Sequence, residues 1–162
     1  MRQFSSDDSC NEKQQYVDRL IYVLLESSHK SKCKKDSEST YLIKKGGIYM
    51  EMIKETAKVV RQQQIDEGIF DMELSFPKGA ALAKPGQFIA MYCNDKSKLL
   101  PRPISICGIN PTEGTLRVVY RVAGEGTKEF SEMKAGDTLE VMGPLGNGFT
   151  MNNEKAIIIG GG

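Results

Sequence analysis

The sequence predicts an all-β fold, a small antiparallel barrel or sandwich with one short helix, over residues 50–151. The first observation is a series of short apolar segments at roughly 8–12-residue spacing, each bounded by turn residues. The second is that one later stretch, residues 126–133, has helical spacing, with Phe130 and Met133 at i and i+3. The third is a composition break: every proline, and every glycine except Gly46 and Gly47, follows residue 49.

Residues 1–49 are separated from the barrel by this break. They are rich in Ser, Lys and Asp and contain one helix-like patch, QQYVDRLIYVLLESS. One face of that patch would carry Tyr16, Leu20, Val23 and Leu24. A short isolated helix is marginal, so we expect a disordered leader; an interaction helix is the alternative. KKGGIYM can be encoded by a purine-rich ribosome-binding sequence, so translation beginning at Met50 or Met52 is a further hypothesis.

The predicted barrel strands follow one another with turn signals between them. Their ranges are 54–65, 68–76, 88–93, 102–109, 116–122 and 134–146. The connections include Asp66-Glu67-Gly68, Pro85-Gly86 and an Ala-Gly-Asp turn that opens the last strand.

The final stretch, KAIIIGGG, has a different pattern. A continuous apolar strand suits burial on both faces of a parallel sheet, and a strand that ends in glycines typically leads into a nucleotide-binding turn. We therefore expect residues 152–162 to be the first strand of a truncated α/β nucleotide domain, and the chain to be a fragment.

Composition argues against several classes of function. The net charge of +1 gives no electrostatic case for binding nucleic acid or an acidic membrane. The apolar runs are far shorter than a membrane span of roughly 20 residues, and no signal peptide is evident, so we expect a cytoplasmic protein. The four cysteines are too widely spaced for a metal site, and the single histidine, His29, argues against imidazole catalysis.

The stretch LLPRPISICG combines a rigid strand with two polar side chains. Prolines fix φ and donate no hydrogen bond, so they suit the start or edge of a strand. Arg102 can fork onto a phosphate, and Ser105 can offer a hydroxyl to a ring heteroatom. Taken alone this motif is weak, because an edge strand explains the prolines equally well.

Two glycine-containing stretches follow. VYRVAGEGTKEF has Gly124 and Gly126 but lacks the third glycine of a dinucleotide fingerprint, which excludes a Rossmann turn here. What remains is Gly126-Thr127 at a helix N-terminus, where amides and a hydroxyl can hold a phosphate; a plain N-cap by Thr127 is the alternative. GPLGNGF, residues 143–149, either borders a planar ligand or links domains.

In this order and spacing, the chain from Met52 onward resembles the FAD-binding domain of the ferredoxin reductase superfamily. PRPISICGI, the stretch from VYRV to GNGF, and the closing IIIGGG are similar to one branch, the electron transfer subunit of type B, NAD-linked dihydroorotate dehydrogenase. The resemblance implies a Greek-key antiparallel β-barrel that binds FAD.

The resemblance also implies residue roles. Arg102 would contact the FAD pyrophosphate, Pro103 and Ile104 would shape the wall beside the flavin, and Ser105 would hydrogen-bond near its reactive nitrogen. Three neighbours on the next strand would hold the cofactor through backbone and the tyrosine ring: Val119, Tyr120 and Arg121. Gly126 and Thr127 would cap the pyrophosphate. No residue is predicted to be a catalytic acid, base or nucleophile, since the flavin does the redox chemistry.

The wider family uses more than this chain offers. It passes electrons from NADH through FAD and a [2Fe–2S] cluster to the FMN of a catalytic subunit, in a heterotetramer that serves pyrimidine biosynthesis. The cluster needs closely spaced cysteines, which Cys10, Cys33, Cys93 and Cys107 are not, and NAD needs the truncated domain. We therefore expect FAD as the one cofactor with a site here, weak FAD binding, and little reaction with NADH.

Three alternatives remain open. Sister proteins with this domain serve sulfide dehydrogenases, sulfite reductases or hydrogenases. A small barrel could instead be a binding module for RNA or protein, although the near-neutral charge and the scattered aromatics argue against RNA. The chain could also be a nonfunctional remnant of a split gene.

Overall fold

The computed structural model describes residues 32–35, 40–45 and 48–150, with side chains from residue 52 onward. Its strands are β1 (Lys32–Lys35), β2 (Thr40–Lys45), β3 (Ile48–Asp66), β4 (Ile69–Ser75), β5 (Phe88–Met91), β6 (Arg102–Asn110), β7 (Thr115–Arg121) and β8 (Thr138–Leu145). Its helices are α1 (Pro77–Leu82) and α2 (Glu125–Glu132). The predicted barrel strands are all present, with ends shifted by a few residues.

Six of these strands close into an antiparallel barrel. Their order is β3-β4-β7-β6-β5-β8, and β8 pairs back onto β3 between Ile53–Gly143 and Lys58–Thr138. The long strand β3 serves both neighbours, since its second half, from Lys58 onward, pairs with β4. Closure leaves no long exposed sheet edge on these strands.

The connections make a Greek key, as expected. Strands β5, β6 and β7 follow one another as neighbours, and β4 lies beside β7 rather than beside β5. Helix α1 lies in the β4–β5 connection and α2 in the β7–β8 connection. Helix α2 begins and ends one residue earlier than the predicted range 126–133.

The inside of the barrel is apolar. Its fully buried side chains include Val59, Met72, Leu74, Ile89, Leu116, Val118, Phe130 and Val141. A second, smaller cluster on β3, β5 and β8 contains Met52, Ala90, Met142 and Leu145, with Tyr92 just beyond β5. Burial of these side chains is the main force that fixes the strand register.

Two short strands lie in the segment for which the sequence predicts no strand. Strand β2 pairs with the start of β3 from Thr40–Ile53 to Lys45–Ile48, and β1 pairs with β2. The residues of β2, TYLIKK, include β-branched and aromatic types that suit a strand. Strand β3 also begins before the predicted boundary at residue 50. The helix-like patch at residues 16–24 and the predicted strand at 152–162 lie outside the described residues.

Helix α1 is the second difference from the sequence prediction, which has a single helix. It has six residues, too few to show a helical period, and begins with Pro77, whose fixed φ suits a first turn. Gly79 is required here, because an added Cβ would lie 2.1 Å from Cε1 of Phe76. The Phe76 ring thus packs directly on the helix backbone and fills the barrel end.

Candidate functional site

Arg102 and Gly126, which the sequence places in one phosphate site, are in contact. Arg102 is the first residue of β6, and its Nη1 donates a hydrogen bond to the Leu100 carbonyl oxygen. A Cβ on Gly126 would lie 2.1 Å from Arg102 Nε and 2.3 Å from Cζ. The guanidinium therefore occupies the space that a side chain at residue 126 would need, and glycine is the residue that permits this contact.

The N-terminus of α2 is organised by Thr127. Its Oγ1 donates to the Gly124 carbonyl oxygen at 3.0 Å and accepts from the amides of Ala123 at 2.9 Å and Gly124 at 3.2 Å. The side chain is 8% exposed. Because the Thr127 hydroxyl donates its proton to the Gly124 carbonyl oxygen, it acts here as a helix cap. The backbone amides of the first turn of α2 take no part in these hydrogen bonds, and they are the groups that could bind an anion.

The C-terminus of α2 is capped from the barrel interior. Nε2 of Gln62, on β3, donates to the carbonyl oxygens of Phe130, Ser131 and Met133 at 3.0, 3.1 and 2.8 Å. Tyr120 donates its hydroxyl hydrogen to Gln62 Oε1 at 2.9 Å. Both ends of α2 are thus attached to the barrel, which fixes where its N-terminal amides point.

Strands β6 and β7 diverge beside this helix. Their pairing runs from Asn110–Thr115 to Ile106–Val118 and ends there, with an irregularity at Cys107. Residues 102–105 of β6 continue along β5, and residues 119–121 of β7 continue along β4. The two predicted cofactor segments therefore border the same gap between strands, where their facing backbone edges have no ladder partner in each other.

The side chains of the two segments alternate between faces. On the outer face lie Pro103, Ser105, Val119 and Arg121, all exposed. Ile104 turns the other way and packs against the barrel core, while the half-buried Arg102 lies at the end of that inner row, against α2. Because side chains alternate along a strand, Ser105 and Arg102 lie on opposite faces of β6.

Tyr120 has a buried side chain. Its ring is 4% exposed, lies inside the barrel 5.8 Å from the Phe70 ring in a stacked arrangement, and meets Phe130 edge-on at 6.3 Å. Burial raises the pKa of its hydroxyl. This position favours a cofactor contact through the backbone of Tyr120, and a contact through its ring stays a prediction.

Two residues that the sequence did not indicate support the site. Gln62 lies in a run of three glutamines, and nothing in that run distinguishes the one that faces inward. Glu129 of α2 accepts hydrogen bonds from the amides of Asn94 and Asp95, at 2.6 and 3.3 Å, and from Lys98 Nζ at 2.9 Å. Both roles depend on contacts between distant parts of the chain.

The described residues include acidic side chains and two cysteines. Among them, no three His, Cys, Asp or Glu side chains come together in a group that could hold a metal ion. Cys93 is buried and Cys107 exposed. None of the helices in that part of the chain is long and apolar enough to cross a membrane.

Comparison with known proteins shows which family this chain matches. Residues 56–149, more than half of the chain, match the family described as the oxidoreductase FAD-binding domain. The chain belongs to this family. The family match spans the barrel from β3 to the end of β8, and it contains every residue assigned above to the candidate site.

Curated relatives of this FAD-binding domain extend the match to a branch. The dihydroorotate dehydrogenase B (NAD(+)) electron transfer subunit of Streptococcus mutans is 45% identical over 117 residues, covering 68% of this chain and 44% of the relative. The subunit of the same name from Listeria innocua is 39% identical over 115 residues, covering 68% and 45%. The resemblance found in the sequence is confirmed, and the chain spans less than half the length of these relatives.

A solved structure agrees on the fold of the FAD-binding domain. The NADH-dependent reduced ferredoxin–NADP oxidoreductase, described in connection with flavin-based electron bifurcation, superposes with a TM-score of 0.57 at 34% identity, covering 60% of this chain and 35% of that one. The ferredoxin reductase of carbazole 1,9a-dioxygenase gives 0.50 at 25% identity, covering 59% and 29%.

The residues present fit an FAD pyrophosphate. A guanidinium that can fork onto two phosphate oxygens lies against the glycine of a helix N-terminus, so a positive charge and free amides converge on one point. The gap between β6 and β7 adjoins that point and offers backbone groups and exposed outer side chains to a flat ring.

Proposed function

We propose that this chain binds FAD beside the gap between β6 and β7, and that it relays electrons between NADH and a catalytic dihydroorotate dehydrogenase subunit. The contact of the Arg102 guanidinium with Gly126 at the N-terminus of α2 carries the proposal. When bound, the flavin supplies reversible exchange of a hydride or of single electrons. The chain's own residues bind it, orient it and shield it from water.

The pyrophosphate is assigned to Arg102 and to the amides of Gly126 and Thr127. The guanidinium would form paired, charge-assisted hydrogen bonds with phosphate oxygens, and the helix dipole would favour the negative charge. The Thr127 hydroxyl holds the first turn in shape through its bonds to Gly124 and Ala123. This assignment explains why residue 126, which lies against the Arg102 guanidinium, is glycine.

The isoalloxazine ring is assigned to the edges of β6 and β7. Pro103 would stiffen and shape the wall, and Ile104, whose side chain packs against the barrel core, would add its backbone. The Ser105 hydroxyl would hydrogen-bond near the reactive flavin nitrogen. On β7, the backbone of residues 119–121 would meet the cofactor, with the exposed Val119 and Arg121 side chains beside it. Residues 50–151 are proposed as the FAD domain, followed by the opening strand of a nucleotide domain.

The relatives' names support the wider role. Both curated relatives described above are named electron transfer subunits of dihydroorotate dehydrogenase B, and their name includes NAD(+). We therefore assign the chain to a cytoplasmic complex with an FMN-containing catalytic subunit, as a heterotetramer in pyrimidine biosynthesis. NAD and [2Fe–2S] sites would lie in parts of such a protein beyond residues 56–149.

Cofactor identification tests the proposal directly. The purified chain is examined by visible absorption before and after addition of FAD, and the released cofactor is identified after denaturation. An oxidised-flavin spectrum with FAD released, and a loss of FAD affinity of about tenfold or more in Arg102→Ala, is the expected result. A folded chain that takes up no added FAD would overturn the proposal.

A further inference from the structure

Glu129 connects the phosphate-binding helix to the loop that precedes Arg102. It lies one turn after Gly126 on α2, and its side chain is 20% exposed. Its Oε1 accepts from the amides of Asn94 and Asp95, and its Oε2 accepts from Lys98 Nζ. One carboxylate therefore holds three points of the β5–β6 loop, residues 92–101.

The carboxylate is ionised at neutral pH. Burial acts to raise the pKa of Glu129, but the hydrogen bonds from Lys98 and the two amides outweigh it and hold that pKa below its ordinary value. Lys98 also pairs with Asp95 at 3.4 Å, which braces the loop internally. Such charge-assisted bonds to backbone amides are stronger than neutral ones.

The same loop holds the arginine. The Leu100 carbonyl oxygen, near the loop's end, accepts from Arg102 Nη1. Burial raises the pKa of the Cys93 thiol, at the loop's start, and the charges of Arg102 and Glu129 act on that pKa in opposite directions. Helix α2 thus contacts Arg102 directly through Gly126 and, through Glu129, the loop that orients it.

We propose that Glu129 is a positioning residue for the FAD pyrophosphate, because it holds the β5–β6 loop so that the Arg102 guanidinium stays against Gly126. This inference rests on the proposed function. An arginine side chain has several rotatable bonds, and fixing it before the ligand arrives removes part of the ordering cost of binding. Without Glu129, the amides of Asn94 and Asp95 lose their acceptor and Lys98 keeps only Asp95, so the loop that carries Leu100 loses these bonds to α2.

A double-mutant cycle tests the inference. FAD dissociation constants are measured by flavin fluorescence for wild type, Glu129→Ala, Arg102→Ala and the double variant, with Glu132→Ala as a matched control. Glu132 is exposed on the same helix, three residues after Glu129. We expect Glu129→Ala to weaken FAD binding about tenfold in wild type and less than about twofold in the Arg102→Ala background, because its effect passes through the arginine. Equal losses in both backgrounds, or an equal loss in Glu132→Ala, would overturn the inference.

A cofactor-free measurement separates this inference from the proposed function. The Nε–H resonance of Arg102, assigned by its disappearance in Arg102→Ala, should shift in Glu129→Ala and stay in place in Glu132→Ala. An unmoved resonance in Glu129→Ala would overturn the positioning role even if FAD binds. If wild type binds no FAD, the proposed function fails. A shifted Arg102 resonance in Glu129→Ala would in that case still show that Glu129 fixes the position of the Arg102 side chain.

Discussion

The hydroxyl of Tyr120 is joined to Gln62 by a 2.9 Å hydrogen bond, and the Gln62 amide donates to three carbonyl oxygens at the end of α2. A strand of the barrel wall thereby fixes the helix whose other end meets Arg102. Tyr120 supports α2 from inside the barrel, because its hydroxyl bonds to Gln62 and its ring packs edge-on against Phe130 of that helix.

Tyr120→Phe should separate these two roles. The variant keeps the ring packing against Phe70 and Phe130 and loses the bond to Gln62, so the free energy of unfolding should fall by about 1 kcal/mol. FAD affinity should change by less than about twofold. Urea denaturation and FAD titration measure the two quantities. A large loss of FAD affinity at unchanged stability would restore the tyrosine to direct cofactor contact.

Gly126→Ala should expel the Arg102 guanidinium from its place. A methyl group there would lie 2.1 Å from Nε, so the arginine must move, and FAD affinity should fall about tenfold or more. Alanine favours a helix over glycine by up to about 1 kcal/mol, which opposes any loss of stability. Gly124→Ala is the control, since a Cβ at Gly124 has no atom within 4 Å. Equal FAD affinity in the two variants would contradict the assignment, as measured by fluorescence titration and thermal unfolding.

The sequence predicted the parts of the site that depend on local pattern. Turn residues and apolar alternation located the six barrel strands. The resemblance assigned Arg102 and Gly126 to one pyrophosphate, and the structure places these two residues in contact. The Arg-Pro and Gly-Thr motifs each had, alone, an equally good structural explanation, and it was the family resemblance that assigned the motifs together to one FAD site.

The inward orientation of Tyr120 follows from the pattern of β7. On β7 the charged residues Arg117 and Arg121 have the same parity as Val119, and all three are exposed. A strand period of two then turns Tyr120 inward with Val118. The resemblance gave Tyr120 a cofactor role through backbone and ring, and this alternation favours the backbone part of that prediction.

Gln62 and Glu129 could not be predicted in the same way. Each acts through hydrogen bonds to residues more than thirty positions away in the chain, and no local pattern encodes such a partner. Helix α1 is too short to show a period, and its Gly79 is explained only by the Phe76 ring that packs on it.

Asp71 should make the barrel sensitive to acid. It is 4% exposed and accepts two hydrogen bonds of 2.8 Å from Arg117, with Arg61 at 3.5 Å. The bond from Arg117 is the largest influence and, with the arginine charges, lowers the pKa of Asp71 despite the opposing effect of burial. Because the folded pKa is depressed, this stabilisation is present above the unfolded value of about 3.9 and is lost as the pH falls through the folded value.

Asp71→Asn tests that dependence. The variant should be less stable than wild type at pH 7, and the difference should shrink as the pH falls below about 4. Urea unfolding at a series of pH values measures both trends. Glu67→Gln, at an exposed turn position, serves as the control and should follow the wild-type profile. A constant difference between Asp71→Asn and wild type at every pH would show that the carboxylate charge is not what stabilises the strands.

Ser105→Ala should alter the redox behaviour of bound FAD more than its affinity. The Ser105 side chain is exposed on the outer face of β6, past the end of the β6–β7 ladder. The reactive ring nitrogen accepts a hydrogen bond in the oxidised flavin and carries a hydrogen itself after two-electron reduction. A donating Ser105 hydroxyl therefore favours the oxidised form, and its loss should make the two-electron potential about 20–30 mV more positive. Cys107→Ala is the matched control, because Cys107 is exposed on the same face of β6 but lies between the Ile106–Val118 and Gly108–Arg117 pairs rather than beyond the end of the ladder. Spectroelectrochemical titration of the FAD-loaded proteins measures the potentials, and an equal potential in Ser105→Ala and wild type would remove the serine from the flavin's surroundings.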